Sequence, residues 1–190
     1  MSRRRTTAAC VAALFFLNAY GGFIPFGGNA AWACGGRVEV AFFETDGDIF
    51  EITNKSEEAW AVEQVTIRLT GSLGGLIFDT EDGGAGASMA QAFEPVAGEV
   101  GLVAATPVGD GAEVMQLRFS EFWPGRRFEF IIDVDDRLES SDYGQAVVSG
   151  AEIAGAGAVA VLRMKNGRTW TARGRFGPDG RALLKGGVCA

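Results

Sequence analysis

From Arg37 onward, apolar and polar residues alternate in short runs. "RVEVAFF" puts Val38, Val40 and Phe42 on one side, and "AVEQVTIRLTG" puts Val65, Ile67 and Leu69 opposite Gln64, Thr66 and Arg68. "DIFEIT" sets Ile49 apart from Phe50 and Ile52. Period-two alternation over runs this short marks half-buried strands of an antiparallel sheet with one wet face. Further strands are predicted at "GLIFD", "EVGLVAAT", "AEVMQLRF", "RFEFIIDV", "QAVVSG", "GAVAVLRM" and "RTWTARG", with Gly, Pro, Asn and Asp clusters between them. No segment sustains a helical period, although "SMAQAF" near residue 90 has room for one helical turn. Asn166-Gly167 lies between two alternating runs and predicts a C-terminal β-hairpin with a type I′ turn; Pro178-Asp179-Gly180 predicts another turn. Many short, evenly spaced strands among 28 glycines give an all-β fold. An antiparallel β-sandwich of Ig-like type is the expectation, with a barrel as the alternative.

The first residues break this pattern. Arg3, Arg4 and Arg5 precede an apolar run from Ala8 to Ala19, and Ala31-Trp32-Ala33 supplies a small-x-small site before Cys34. This is the layout of a secretory signal peptide over residues 1–33, leaving residues 34–190 as a single β-sandwich domain in the periplasm or outside the cell. A membrane anchor fits less well, because Asn18, Tyr20, Gly21, Gly22 and Pro25 interrupt the run before it reaches about 20 apolar residues. Cys34 and Cys189 stand at the two ends of that segment. In an exported chain they are expected to pair and bring the termini together; a lipid anchor on Cys34 is the competing use.

Charge narrows the partners. Removing Arg3, Arg4 and Arg5 and no acid takes the net charge from −7 to −10. Such a chain repels nucleic acid and anionic membrane surfaces and attracts cations. The absence of histidine closes the Ser-His-Asp, Cys-His and histidine–metal routes.

What chemistry is left rests on carboxylates. "FEFIIDVDD" runs from a strand into Asp133, Asp135 and Asp136, and in an extended chain Asp133 and Asp135 share a side, about 7 Å apart. Calcium takes six to eight oxygens, so a second loop must contribute. "FDTEDGG" offers Asp79, Glu81 and Asp82, "ETDGDIF" offers Glu44, Asp46 and Asp48, and "ESSDYG" offers Glu139 and Asp142. Asp133, Asp135, Asp136, Asp79 and Asp82 are the candidate calcium ligands. The plain alternative is a solvated strand end, since aspartates also cap and turn. The glycine-rich "GGAGAS" reads as a simple connection. A pair of these acids in a cleft is also what a glycosidase needs, but Phe42, Phe50, Phe78, Phe119, Phe128 and Phe130 fall at core spacing rather than along a sugar-stacking surface. Asn54-Lys55-Ser56 matches a glycosylation acceptor, and Trp123, beside Pro124-Gly125, is either a core-edge lid or an interface anchor.

"VEVAFFETDGDIFEITNKSEEAW", "VTIRLTGSLGGLIFDT", "PGRRFEFIIDVDD" and "VSGAEIAGA" together resemble short exported bacterial proteins related to the core protein of sponge aggregation factor, over residues 37–160. The resemblance implies an Ig-like surface domain of adhesive or matrix type, non-catalytic, with calcium-dependent association with itself, with other surface proteins or with polysaccharide. "FDT" at 78–80 and "DVDD" at 133–136 are its acidic stretches. The alternative is a periplasmic carbohydrate-binding or carboxylate-based hydrolytic domain.

Overall fold

A computed structural model describes residues 35–45, 47–57, 59–87, 89–140 and 144–186. The expected signal peptide and both cysteines, Cys34 and Cys189, lie outside the described residues, as do Asp46 and Asp142. Among the described residues twelve strands and one short helix follow in order: β1 (Arg37–Phe43), β2 (Ile49–Asn54), β3 (Ala61–Arg68), β4 (Ile77–Asp79), β5 (Glu94–Ala97), β6 (Leu102–Ala105), β7 (Val114–Phe122), β8 (Arg127–Ile131), β9 (Asp133–Asp135), α1 (Gly150–Ile153), β10 (Gly157–Arg163), β11 (Thr169–Arg175) and β12 (Arg181–Lys185). The all-β reading holds. Besides the break of "RFEFIIDV" at Ile132 and the unexpected β5 and β12, two segments differ from expectation. "SMAQAF" has no helix among its described residues, and "QAVVSG" is not a strand but leads into α1. The Ser149 hydroxyl accepts from the Glu152 N–H while the Glu152 carboxylate accepts from the Ser149 N–H, a capping box that starts the helix.

Ten strands form one antiparallel sheet, in the order β5-β8-β2-β1-β12-β11-β10-β3-β7-β6, and β4 pairs with β9 in a ribbon of its own. The order explains the curl. β7 and β8 are consecutive in the chain, joined by residues 123–126, yet stand near opposite ends of the sheet. A four-residue turn can join them only if the sheet bends back on itself. It does: Phe119 of β7 meets Phe128 of β8 edge to face, with ring centroids 5.3 Å apart, and Phe130 of β8 stacks on Phe50 of β2 at 5.3 Å. Between β11 and β12 one residue pair, Arg173 with Lys185, is in register, against seven between β10 and β11. That thin seam gives the sheet a place to bend.

Alternation then fixes the inside. Val38, Val40, Phe42, Phe50, Ile52, Phe128 and Phe130 are all buried, as their spacing predicts. β3 buries both Val62 and Val65, which a regular strand would set on opposite faces; a shift in its pairing with β10 and β7 at this point restores the match. Asn54 fastens the curled edges together. Its Nδ2 donates to the carbonyls of Trp60 and Phe122, both at 2.8 Å, and its Oδ1 accepts from the Ser56 N–H at 3.1 Å. Fully buried, this asparagine is a structural staple, and the folded chain does not present it for glycosylation.

The β10–β11 hairpin forms as expected, with a different turn. Met164 and Arg168 pair through Met164 N–H to Arg168 O, and Gly167 N–H donates to Met164 O. The loop is therefore three residues, Lys165-Asn166-Gly167, with Gly167 at φ 85°, rather than a two-residue type I′ turn. Pro178-Asp179-Gly180 closes β11 to β12 in the same way. Trp123 sits half-buried in the β7–β8 turn with the Lys165 ammonium 5.4 Å from its ring.

Candidate metal centre

The chain steps out of the large sheet at Ile132, whose N–H donates to the Asp48 carbonyl, and continues as β9 against β4. Register in this ribbon puts Asp79 opposite Asp133, Phe78 opposite Val134 and Ile77 opposite Asp135. Phe78 and Val134 enter the core. Asp79, Asp133 and Asp135 consequently share the other face. That face is not solvated. Asp79 is 2%, Asp133 8% and Asp135 0% exposed.

The glycine-rich loop provides the cover. Ala87 N–H donates to Asp135 Oδ2, and Ala85 N–H donates to Asp110, which also accepts from Thr80 N–H at 3.1 Å. Gly86 lies so close that a Cβ there would stand 2.3 Å from Asp135 Oδ2 and 2.4 Å from Asp79 Oδ2. The "GGAGA" run thus has a stereochemical job: its bare backbone approaches two carboxylates where no side chain fits.

One oxygen from each of Asp79, Asp133 and Asp135 lies within 4.8 Å of the others. A calcium ion with ligands at about 2.3–2.6 Å spans that distance, so one ion can touch all three. Asp79 Oδ1 and Asp135 Oδ1 are buried without a hydrogen-bond partner among the described residues. Such orphaned acceptors are costly unless something positive meets them. The electrostatics agree. Burial, then the hydrogen bond its carboxyl donates to Asp110 and the Asp135 and Asp110 charges, pushes Asp79 up to about 6. Burial, then the Asp135 and Asp79 charges, pushes Asp133 up to about 7, and burial raises Asp135 as well. Asp110 goes the other way, held low by the Thr80 and Ala85 N–H groups.

Asp48 adjoins this centre. Its Oδ2 accepts from Val134 N–H at 3.1 Å, and burial followed by the Asp133 charge pushes its carboxyl up to about 8. Asp48 and Asp133 line a cleft of about 450 Å³ together with Glu44, Thr45, Met89, Ala146 and Val147. Asp133 therefore belongs to both the covered triad and the open cleft.

Of the five candidate ligands, Asp79, Asp133 and Asp135 come together. Asp136 is buried next to them, but it faces away along the strand; its Oδ1 accepts from Leu138 N–H at 2.8 Å and its Oδ2 has no partner among the described residues. Asp82 is exposed and caps the far side of the loop through Ala90 N–H at 3.2 Å. Asp110 carried no signal in "PVGDGAE". It arrives through non-local pairing, since Phe78 bridges to Ala112. No family model, no curated protein and no solved structure matches this chain.

Proposed function

We propose that this chain is a non-catalytic, exported binding domain of Ig-like sandwich type, with a calcium ion held at Asp79, Asp133 and Asp135. In this reading the two halves of the curled sheet act as the two layers. The ion fixes the residue 83–87 loop and the acidic end into one surface that associates with a second copy, with other extracellular proteins or with polysaccharide. The observation carrying it is the pair of orphaned, buried oxygens, Asp79 Oδ1 and Asp135 Oδ1, inside a carboxylate cluster of calcium dimensions. Asp133 opens toward the cleft and gives a cation its way in. The adhesive role rests on the sequence resemblance.

The rival, a carboxylate-based hydrolase, draws on Asp48 and Asp133, whose raised pKa values are of the kind acid–base chemistry uses. Among the described residues the cleft is lined by Glu44, Thr45, Met89, Ala146 and Val147 beside these two acids.

The test is thermal unfolding of the full chain with calcium and with chelator. Extracellular calcium modules bind at about 0.1–1 mM, so about 5 mM approaches saturation. Binding to the folded state alone at these 5- to 50-fold excesses over Kd adds about 1–2 kcal/mol. The expected result is an upward shift with calcium that disappears in Asp79→Asn and Asp135→Asn. Absence of any shift in the wild type would sink the calcium site.

A further inference from the structure

On the outer face of the sheet, cross-strand pairing lines up Arg68 of β3, Gly157 of β10 and Arg175 of β11. The next row on that face is Thr66, Val159 and Arg173, and Arg173 pairs onward with Lys185. Directly opposed residues share a face, so Arg68, Arg173 and Arg175 stand around the side-chain-free floor at Gly157. The result is a cleft of about 360 Å³ lined by these three arginines with Thr70. All three are exposed. None makes an ion pair among the described residues, whereas Arg37, Arg127, Arg137, Arg163 and Arg181 each do. Glu113, the acid nearest Thr70, is engaged by the Thr70 hydroxyl and by Arg137. Arg175 is steadied by donating Nη1–H to the Gly155 carbonyl at 2.7 Å.

Three unpaired guanidinium groups in a chain of net charge −7 are an arrangement against the overall trend. Like charges crowded around a hollow repel each other unless an anion sits between them, and guanidinium presents the forked donors that oxyanions accept. The overall acidity works against a long polyanion such as nucleic acid. A short anionic group in a concave seat suits both facts. We infer that this cleft is a binding site for a small oxyanion, a carboxylate, sulfate or phosphate borne by a sugar or other small molecule. It is independent of the calcium centre.

The arginine side-chain N–H resonances of the full-length protein, titrated at constant ionic strength with sodium sulfate, sodium phosphate and sodium galacturonate, test this. Saturable shifts on Arg68, Arg173 and Arg175 are expected, and the probe that binds most tightly identifies the headgroup. The double variant Arg68→Ala, Arg173→Ala is expected to bind at least about tenfold more weakly. Gly157→Val fills the floor without removing a charge; the nearest atom to a Cβ there is the Gly174 carbonyl oxygen at 4.0 Å, and a strand favours valine, so this variant folds. It too is expected to lose the site. Non-saturating shifts with all three anions, or undiminished binding in Gly157→Val, overturn the proposal.

Discussion

Asp48 makes the metal-free protein sensitive to alkali, and replacing it is expected to reverse that sensitivity. Its carboxyl is buried, accepts from Val134 N–H at 3.1 Å and lies in the field of Asp133, which together push it up to about 8. In the unfolded chain an aspartate titrates near 4. Below that value both states hold the proton and the group has no effect on stability. As pH rises the unfolded chain releases its proton first, so the folded state binds more protons and stability falls until the folded group also ionises. At pH 8 the full difference corresponds to a ceiling of about 5 kcal/mol, of which roughly 3–4 kcal/mol accrues above pH 5. Asp133, pushed up to about 7, adds a loss of the same sign. Local rearrangement and water entry relieve part of this, so Asp48→Asn is expected to stabilise the calcium-free protein by about 1–3 kcal/mol at pH 8. At pH 3.5 the two proteins should be nearly equal, because asparagine keeps an oxygen for Val134 N–H and the aspartate is mostly protonated in both states. Urea unfolding of metal-stripped protein, followed by tryptophan fluorescence across this range, measures the difference. A variant that is uniformly less stable at every pH, or a wild type most stable at pH 8 without metal, would refute the burial argument. Calcium should oppose the trend, stabilising the wild type more at pH 8 than at pH 5, since only ionised carboxylates bind it well.

Gly86→Ala drives a methyl group into the Asp79 and Asp135 carboxylates, where no Cβ fits. It should cost about 1–3 kcal/mol in chelator and shrink the calcium-induced melting shift; an unchanged shift would mean that the loop does not rest on the carboxylates. Asn54→Ala leaves the Trp60 and Phe122 carbonyls and the Ser56 N–H buried and unpaired, so urea denaturation should report a loss of about 3–5 kcal/mol. Gly167→Ala meets no neighbouring atom but forces alanine to φ 85°, so a loss near 1 kcal/mol is expected in the same assay, with the hairpin intact.

Local patterns in the chain were legible where a strand has one wet face. β1, β2, β3, β7 and β8 alternate in burial much as their residues alternate in polarity, whereas β10 and β12 alternate in burial across apolar runs. β4 and β9 bury every residue, including Asp79, Asp133 and Asp135, so alternation had nothing to report there. Likewise β5 is exposed throughout and carries a proline at its edge position, and it escaped notice. The helix was readable in principle, because Ser149 and Glu152 have the spacing of a capping box. The candidate centre divides in the same way. Asp133 and Asp135 announce themselves by spacing on one strand. Their meeting with Asp79 depends on a strand pairing 54 residues apart, and the place of Asp110 depends on the bridge from Phe78 to Ala112. Composition marked "GGAGAS" as a connection, yet what matters is its approach to two carboxylates, which no local property of the sequence encodes.

The step at Ile132 joins fold and chemistry. Had β8 continued in the large sheet, Asp133 and Asp135 would project from its outer face into water and titrate as ordinary aspartates. Instead the strand leaves the sheet, takes β4 as its partner and turns its acidic face beneath the loop of residues 83–87. Every hydrogen bond the loop makes to these acids helps to hold a negative charge, and two oxygens still lack a partner among the described residues. A solvated strand end needs neither a cover nor buried carboxylates with pKa values near neutrality. The arrangement opposes folding when all its acids are ionised, and it ceases to do so when either protons or a divalent ion supply the missing positive charge. At pH 7 protons cover Asp48 and part of Asp133 but leave most of Asp79 ionised, and above pH 8 only a cation is left to neutralise the cluster. That asymmetry, more than the number of acids gathered, is why calcium is the first ligand to test.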